Sequence, residues 1–137
     1  MRLVVNTNIL FSFFNERSAA REIATLSSLE LYAPQFALDE LTEHKNEILK
    51  KFSLSDTQFL LILRLLEGMV NFIEIKDYAK FLPEAYEVSP DPDDIDFFAL
   101  AFKLGCHLWS NDKRLKKQSR VQVFSTTDLT KISDIKV

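Results

Sequence analysis

Two short apolar runs of the sequence end in polar triplets whose side chains could bind a ligand. The triplet at residues 6–8, "NTN", follows "LVV", and the triplet at residues 110–112, "SND", follows "HLW". Strands that are buried on both faces are near-continuous apolar runs, and ligands bind at the carboxyl ends of such strands in open α/β sheets. We therefore expect both triplets to lie at one edge of a parallel sheet.

A third polar segment, "SPDPDDIDFFALA", carries four aspartates. Asp91 before Pro92 is typical of a helix N-cap with proline at the first helical position, and carboxylates in a first turn interact favourably with the helix dipole. Capping does not account for all four, because adjacent carboxylates repel one another and a helix start offers few free amides. Asp94 is therefore a candidate for a second role, since carboxylate oxygens are the ligands that Mg²⁺ and Mn²⁺ prefer.

Two further acidic residues have a structural and a functional interpretation. Asp112 is either the cap of a helix that begins at Lys113 or a ligand at the end of its strand. Glu40, in "PQFALDELTEH", lies early in a helix that leaves a strand in the same direction, and taken alone it is typical of a surface glutamate.

The elements that must position these side chains alternate between strand and helix. We predict strands at residues 2–5, 30–33, 70–75, 107–109 and 121–124. We predict helices at residues 8–14, 19–29, 35–52, 55–69, 78–86 and 126–132, a strongly apolar helix between "SPDPDD" and Gly105, and a helix that starts at Lys113. This alternation indicates a parallel sheet that is covered on both faces. The predicted fold is α/β, a three-layer α/β/α sandwich with a central parallel sheet of four or five strands, in a single domain over residues 1–137.

The composition is that of an ordinary globular domain, with 47% hydrophobic and 27% charged residues and no apolar stretch long enough to span a membrane. The single cysteine, Cys106, fits a reducing compartment, and no export signal is evident, so we expect a cytoplasmic protein. The net charge of -3 does not by itself indicate a nucleic-acid-binding protein. Basic residues gather just after the acidic segment, however, at Lys113, Arg114, Lys116 and Lys117.

Taken together and in this order, the segments resemble the motifs of the PIN-domain nuclease family, which includes the VapC-like (PilT N-terminus-type) ribonuclease toxins. The matching elements are "VVNTNIL", Glu40 in "ALDEL", Asp94 in "PDPDDIDFFALA" and Asp112 in "WSNDKRL", which span nearly the whole chain. The resemblance implies acidic residues at the carboxyl edge of the sheet, a bound Mg²⁺ or Mn²⁺ ion, and single-stranded RNA as the substrate. It also implies an antitoxin as a protein partner and a homodimer.

The resemblance further assigns roles to individual residues. The implied catalytic set is Asn6, Glu40, Asp94 and Asp112, of which Asn6, Asp94 and Asp112 would bind the metal. The implied supporting residues are Thr7, Asn8, Asp96, Ser110 and Asn111, and the RNA-contacting residues would be Lys113, Arg114, Lys116 and Lys117. In such a site, phosphodiester bonds are cleaved by water held on the metal.

The sequence departs from the family pattern at Asn6, where the family has aspartate. An amide oxygen can still bind a metal, but it brings no negative charge, so metal affinity and rate should fall. Either a natural relative with weakened or lost activity or a laboratory substitution would explain the amide.

Two other classes of function stay open at this point. One is a non-catalytic binding module of the same fold, in which Phe11, Phe13 and Phe14 would line a groove for a partner instead of packing in the core. The other is a phosphatase of the haloacid-dehalogenase type. That chemistry needs a nucleophilic aspartate at the first position and an acidic residue two places on, which Asn6 and Asn8 do not supply.

Overall fold

A five-stranded sheet in which all strands are parallel forms the centre of the computed structural model, which describes residues 1–26 and 28–132. The strands are β1 (Arg2–Val5), β2 (Glu30–Pro34), β3 (Val70–Ile73), β4 (His107–Trp109) and β5 (Val123–Phe124), in the spatial order β3-β2-β1-β4-β5. In the register of the central strand, Leu3 lies between Leu31 of β2 and His107 of β4. The predicted parallel sheet is confirmed, with five strands.

Helices follow the strands along the chain and cover the sheet. They are α1 (Thr7–Ser12), α2 (Ala19–Ala24), α3 (Gln35–Glu43), α4 (Lys45–Phe52), α5 (Asp56–Met69), α6 (Leu82–Val88), α7 (Ile95–Leu104) and α8 (Thr126–Lys131). Short 3₁₀ helices span Ile75–Asp77, Ala79–Phe81, Pro92–Asp94 and Lys113–Lys117. The predicted three-layer α/β/α sandwich is confirmed.

The burial of β1 shows that helices cover both faces of the sheet. Leu3, Val4 and Val5 are all fully buried, and successive side chains of a strand point to opposite faces. The helix predicted to be buried, α7, packs against β1, β2 and β4 and contacts α6. Its central segment, Phe97 to Ala101, is apolar and buried at every position, so this part of α7 is enclosed on all sides.

The strand order places a topological switch point at the centre of the sheet. The chain adds β2 and then β3 on one side of β1, and returns to place β4 and β5 on the other side. Where the connections of two neighbouring strands lead to opposite halves of a sheet, a crevice forms at the carboxyl ends of those two strands. Ligands bind in this crevice in open α/β sheets. In this fold the crevice lies at the ends of β1 and β4, where the two polar triplets begin.

Local signals account for several helix ends. The Ser55 hydroxyl accepts from the Gln58 backbone N–H while the Gln58 side chain accepts from the Ser55 N–H, which is a capping box at the start of α5. Gly105 ends α7 with a φ of 61°, a left-handed conformation that glycine adopts without strain.

Some predicted boundaries are wrong in detail. The helix predicted over residues 35–52 is divided at His44 into α3 and α4, and the helix predicted from Lys113 is a single 3₁₀ helix. The predicted helix 19–29 ends at Ala24, and Ser27 within that range lies outside the described residues. The last strand begins at Val123 instead of residue 121, and β3 ends at Ile73 because a 3₁₀ helix follows.

Within residues 1–26 and 28–132, no helix combines the length and the apolar character that crossing a membrane requires.

Candidate metal centre

A hydrogen bond between side chains joins the carboxyl ends of β1 and β4. The amide Nδ2 of Asn6 donates to Ser110 Oγ over 2.7 Å, and the Asn6 Oδ1 accepts from the backbone N–H of Ile9 over 3.2 Å. Asn6 is only 3% exposed, and it is the N-cap of α1. Both polar atoms of this amide are therefore engaged by the protein, and the acceptor contact with Ile9 determines which way the amide faces.

Ser110 extends the connection to a candidate ligand. Its hydroxyl also accepts from the backbone N–H of Asp112 over 3.1 Å, and the residue is almost fully buried. A continuous set of hydrogen bonds thus runs from Asn6 through Ser110 to Asp112. These hydrogen bonds hold the start of the segment after β4 against the end of β1.

Three carboxylates converge beside this connection. Asp91, Asp94 and Asp112 each offer an oxygen, and these oxygens lie within 4.8 Å of one another. Asp91 accepts from the backbone N–H of Asp93 over 2.9 Å at the start of the 3₁₀ helix Pro92–Asp94. Asp112 accepts from the backbone N–H of Arg114 over 3.0 Å at the start of the next 3₁₀ helix. Asp91 and Asp112 therefore each cap a 3₁₀ helix and also belong to the carboxylate cluster.

A cleft of about 480 Å³ opens at these residues. Asn6, Thr7, Asn8, Phe11, Phe36, Glu40, Asp91, Asp93, Asp94, Phe97, Asp112 and Arg114 line it. Thr7 Oγ1 donates to Glu40 Oε1 over 3.1 Å, which connects the start of α1 to α3 and holds the Glu40 carboxylate on the wall of the cleft. The structure therefore brings together all four residues of the predicted catalytic set.

The electrostatic environment differs between the inner and the outer carboxylates. Burial raises the pKa of Asp94 to about 6, and the charges of Asp91 and Asp112 add to the shift. Hydrogen bonds from the Arg114 side chain hold the pKa of Asp112 below its ordinary value, and the same contacts raise the pKa of Arg114. Asp112 is therefore ionised across the physiological range, whereas Asp94 resists ionisation because it is the deepest of the three.

The donor set of the cluster fits a hard divalent cation. All three side chains offer carboxylate oxygens, which are the ligands that Mg²⁺ and Mn²⁺ prefer. Asp91 and Asp94 come from the segment before α7, and Asp112 comes from the segment after β4. Among the described residues, the cluster includes no histidine or cysteine. The cluster thus meets the chemical requirement of a Mg²⁺ or Mn²⁺ site.

Two predicted supporting residues bind elsewhere. The Asp96 carboxylate accepts from the Tyr78 hydroxyl over 2.6 Å, and it does not line the cleft. Burial and this hydrogen bond raise the pKa of Tyr78. The Asn111 Oδ1 accepts from the backbone N–H of Thr126 over 2.7 Å, at the start of α8. Both side chains stabilise packing around the site instead of facing it.

The four basic residues after β4 point in different directions. The Lys116 ammonium pairs with Asp128 over 2.6 Å, beside a separate cavity next to β5. Lys117 lies near enough to Asp112 to lower its pKa, and Lys113 is exposed at the start of the same 3₁₀ helix. Only Arg114 enters the cleft, where its guanidinium pairs with Asp91 and Asp112.

The residue that the sequence did not suggest as a ligand is Asp91. Its position before proline indicates a helix cap, and that interpretation is confirmed by the contact with Asp93. The excess of carboxylates in the same segment was the available signal, but it pointed to Asp94. Asp91 joins the cluster because the 3₁₀ turn Pro92–Asp94 brings residues 91 and 94 to the same side.

Comparisons with known proteins agree with the fold. A sequence model described as PIN domain matches residues 4–129 of the chain. Among solved structures, the crystal structure of VapBC2 from Rickettsia felis bound to a DNA fragment from their promoter superposes with a TM-score of 0.65. The identity is 14%, and the alignment covers 91% of this chain and 98% of that chain. No curated protein matches the chain significantly in sequence.

Proposed function

We propose that this chain, which belongs to the PIN-domain family, is a divalent-metal-dependent nuclease that cleaves single-stranded RNA. The observation that supports this most directly is the convergence of Asp91, Asp94 and Asp112, whose oxygens lie within 4.8 Å of one another at the switch point of the sheet. A cluster of like charges is costly to form, so its presence at a ligand-binding edge favours a role in binding a cation.

The residues of the cleft divide into three roles in this proposal. Asp94 and Asp112, together with Asp91, would hold Mg²⁺ or Mn²⁺. Such an ion supplies an activated water and offsets the negative charge of the phosphate. Glu40, held by Thr7 at 3.1 Å, faces the same space and would orient or deprotonate the water. Asn6 and Ser110 keep the two strand ends in register below them.

The walls of the cleft support a single-stranded substrate. Phe11 and Phe36 are partly buried on its surface, and aromatic rings in such positions stack on unpaired bases. Lys113 and Lys117 are exposed close to the acidic cluster and would bind backbone phosphates. RNA is proposed over DNA because the family resemblance implies it.

The test is a cleavage assay on a labelled single-stranded RNA and on DNA of the same sequence, with Mg²⁺, Mn²⁺ or EDTA. We expect metal-dependent cleavage of RNA that falls at least ~100-fold in Asp94→Asn and Asp112→Asn, about 2.7 kcal/mol in the barrier. Asp39→Asn is the matched control, because Asp39 is exposed on α3 and outside the cleft. Its rate should stay within ~2-fold of the unchanged protein.

Three results would overturn the proposal. Cleavage that persists in EDTA or in both variants would show that the cluster does not perform the reaction. Hydrolysis of a phosphomonoester with no cleavage of RNA would favour the phosphatase class. Stable capture of a protein partner without binding of Mg²⁺ or Mn²⁺ would favour the non-catalytic module.

A role as the toxin of a toxin–antitoxin pair is a second part of the proposal. One structural neighbour is a VapBC2 assembly, and this chain has a groove of about 770 Å³ with both apolar and charged lining residues that would accept a partner helix. Leu61 and Leu65 of α5 line this groove and are 61% and 58% exposed, so a bound partner would cover their apolar side chains. Phe13 is buried in the core, and Phe14, which is also buried, lies at the base of this groove.

Toxicity and self-association are tested separately. Induced expression of the chain in a bacterial host should arrest growth, and expression of Asp94→Asn at the same level should not.

Self-association is measured by sedimentation. A homodimer should sediment as twice the mass of the chain, and Leu61→Glu together with Leu65→Glu should reduce it to the monomer if α5 forms the contact. A cytoplasmic location stays a prediction.

A further inference from the structure

The Arg114 guanidinium bridges the two outer carboxylates of the candidate metal centre. Its Nη2 donates to Asp91 Oδ2 over 2.9 Å and to Asp112 Oδ2 over 2.7 Å. Its Nε lies 3.1 and 3.2 Å from the two oxygens of Asp112. Every carboxylate oxygen of Asp112, and one of Asp91, is therefore shared with this one side chain.

Arg114 approaches the cluster from the solvent side. Its side chain is 63% exposed, whereas the side chains of Asp91 and Asp112 are 17% and 19% exposed. Asp94 lies deeper, and among the described residues its carboxylate accepts no hydrogen bond. The guanidinium thus neutralises the outer part of the cluster and leaves the inner carboxylate without a partner.

We propose that Arg114 is an internal counter-ion that competes with a divalent cation for Asp91 and Asp112, and so sets the metal concentration at which this site fills. This inference rests on the proposed metal-dependent function. A carboxylate oxygen that accepts two charge-assisted hydrogen bonds has less capacity to bind an ion, and the positive guanidinium repels the cation as well. The side chain is exposed and sits on a five-residue 3₁₀ helix, so it can swing into solvent without disturbing the core.

The side chain that lines the cleft at the end of β1 carries no charge. Asn6 is an amide that makes two hydrogen bonds within the protein, so it adds no negative charge to oppose Arg114. One arginine therefore offsets a larger share of the acidic charge than it would in a site with one more carboxylate. Arg114 is a positioning residue in this scheme, because it acts on the reaction through the two aspartates.

The experiment is calorimetric titration of Mn²⁺ into the unchanged protein, Arg114→Gln and Lys113→Gln. Lys113→Gln is the matched control, because it removes the same charge from the same 3₁₀ helix and Lys113 forms no ion pair among the described residues. We expect Arg114→Gln to bind Mn²⁺ at least ~10-fold more tightly than the unchanged protein. Lys113→Gln should bind within ~3-fold of it.

A second readout follows the metal-free state. In EDTA, Arg114→Gln should melt below both the unchanged protein and Lys113→Gln, since the three carboxylates then repel without compensation, and excess Mn²⁺ should reverse the difference. Arg114→Lys, which keeps the charge but cannot form the fork, should bind Mn²⁺ with intermediate affinity.

The outcomes separate this inference from the proposed function. If the unchanged protein binds Mn²⁺ and Arg114→Gln binds it no more tightly than Lys113→Gln does, Arg114 does not compete and the inference fails, while the proposed function stands. If none of the variants binds Mn²⁺ at millimolar concentration, the metal-dependent function fails and the inference fails with it.

Discussion

The side-chain amide of Asn6 donates to the hydroxyl of Ser110 over 2.7 Å, and this contact ties the end of the central strand β1 to the end of β4. The same hydroxyl accepts from the backbone of Asp112, so one polar connection leads from the first strand of the chain to a candidate metal ligand. A carboxylate at position 6 could keep both neighbours by accepting from Ile9 and from the Ser110 hydroxyl. It would add a negative charge next to the cluster.

Replacing Asn6 by aspartate should therefore increase activity. We expect Asn6→Asp to raise metal-dependent RNA cleavage at least ~10-fold, about 1.4 kcal/mol in the barrier, because the added charge strengthens metal binding. Steady-state cleavage at saturating and at limiting Mn²⁺ measures the effect. Asn15→Asp, which adds the same charge outside the cleft, should leave the rate unchanged within ~2-fold. An equal rise in the rates of both variants would contradict the placement of Asn6 at the metal centre.

Removal of the Ser110 hydroxyl should destabilise the protein. In Ser110→Ala the amide of Asn6 and the backbone N–H of Asp112 lose their common acceptor in a buried place, and we expect a loss of about 2 kcal/mol in the free energy of unfolding. Urea unfolding in EDTA measures this loss. Ser12→Ala removes only a donor to the Ile9 carbonyl and should cost under ~1 kcal/mol. If Ser110→Ala is as stable as Ser12→Ala, the two hydrogen bonds that the Ser110 hydroxyl accepts contribute no measurable stability.

The buried Asp94 carboxyl should make the metal-free protein less stable as the pH rises. Its pKa is about 6 in the folded protein and near 3.8 when unfolded, so the folded state holds the extra proton between these values. The stability should therefore fall as the pH increases from about 4 to about 6 and stay low above that. Asp94→Asn should remove this slope and raise the free energy of unfolding at pH 7 by about 1 to 3 kcal/mol.

Urea unfolding in EDTA between pH 4 and pH 8 provides the measurement. Asp39→Asn, on an exposed position of α3, should follow the unchanged protein at every pH. A parallel pH dependence in Asp94→Asn and the unchanged protein would show that another group is responsible.

Metal binding should release a proton below pH 6. Asp94 must ionise before it can bind a cation, so the apparent Mn²⁺ affinity should fall by up to ~10-fold per pH unit below the pKa of about 6. Asp112 stays ionised over the same range because Arg114 lowers its pKa. Titrations in two buffers of different ionisation enthalpy count the protons directly. No proton release at pH 5.5 would exclude Asp94 as a ligand.

The alternation of apolar and amphipathic segments was sufficient to predict the fold. The run from Leu3 to Val5 and the centre of α7 contain only apolar residues, which indicates burial on all sides. Both segments are buried in the structure. The division of the helix at His44 could not be predicted, because no glycine or proline marks it. Tertiary packing against different neighbours determines that break.

The candidate site was predictable in outline but not in its contacts. Glu40, Asp94 and Asp112 lie on one cleft because the ends of parallel strands and the helices that follow them converge. The orientation of single side chains was not predictable, so Asp96 turns to Tyr78 and Asn111 to α8. Arg114 was expected to bind RNA, and its pairing with Asp91 and Asp112 depends on a 3₁₀ turn that the sequence did not indicate.

The pairing of β1 with β4 has a consequence during synthesis of the protein. The partners that close the site, Asn6 and Ser110, are separated by 104 positions, and the three clustered aspartates all belong to the last third of the chain. A nascent chain that has emerged only through α6 contains the first strand but none of these carboxylates. The proposed metal centre can therefore form only when the ribosome has translated nearly all of the message, and a product truncated before Asp91 would lack the proposed activity.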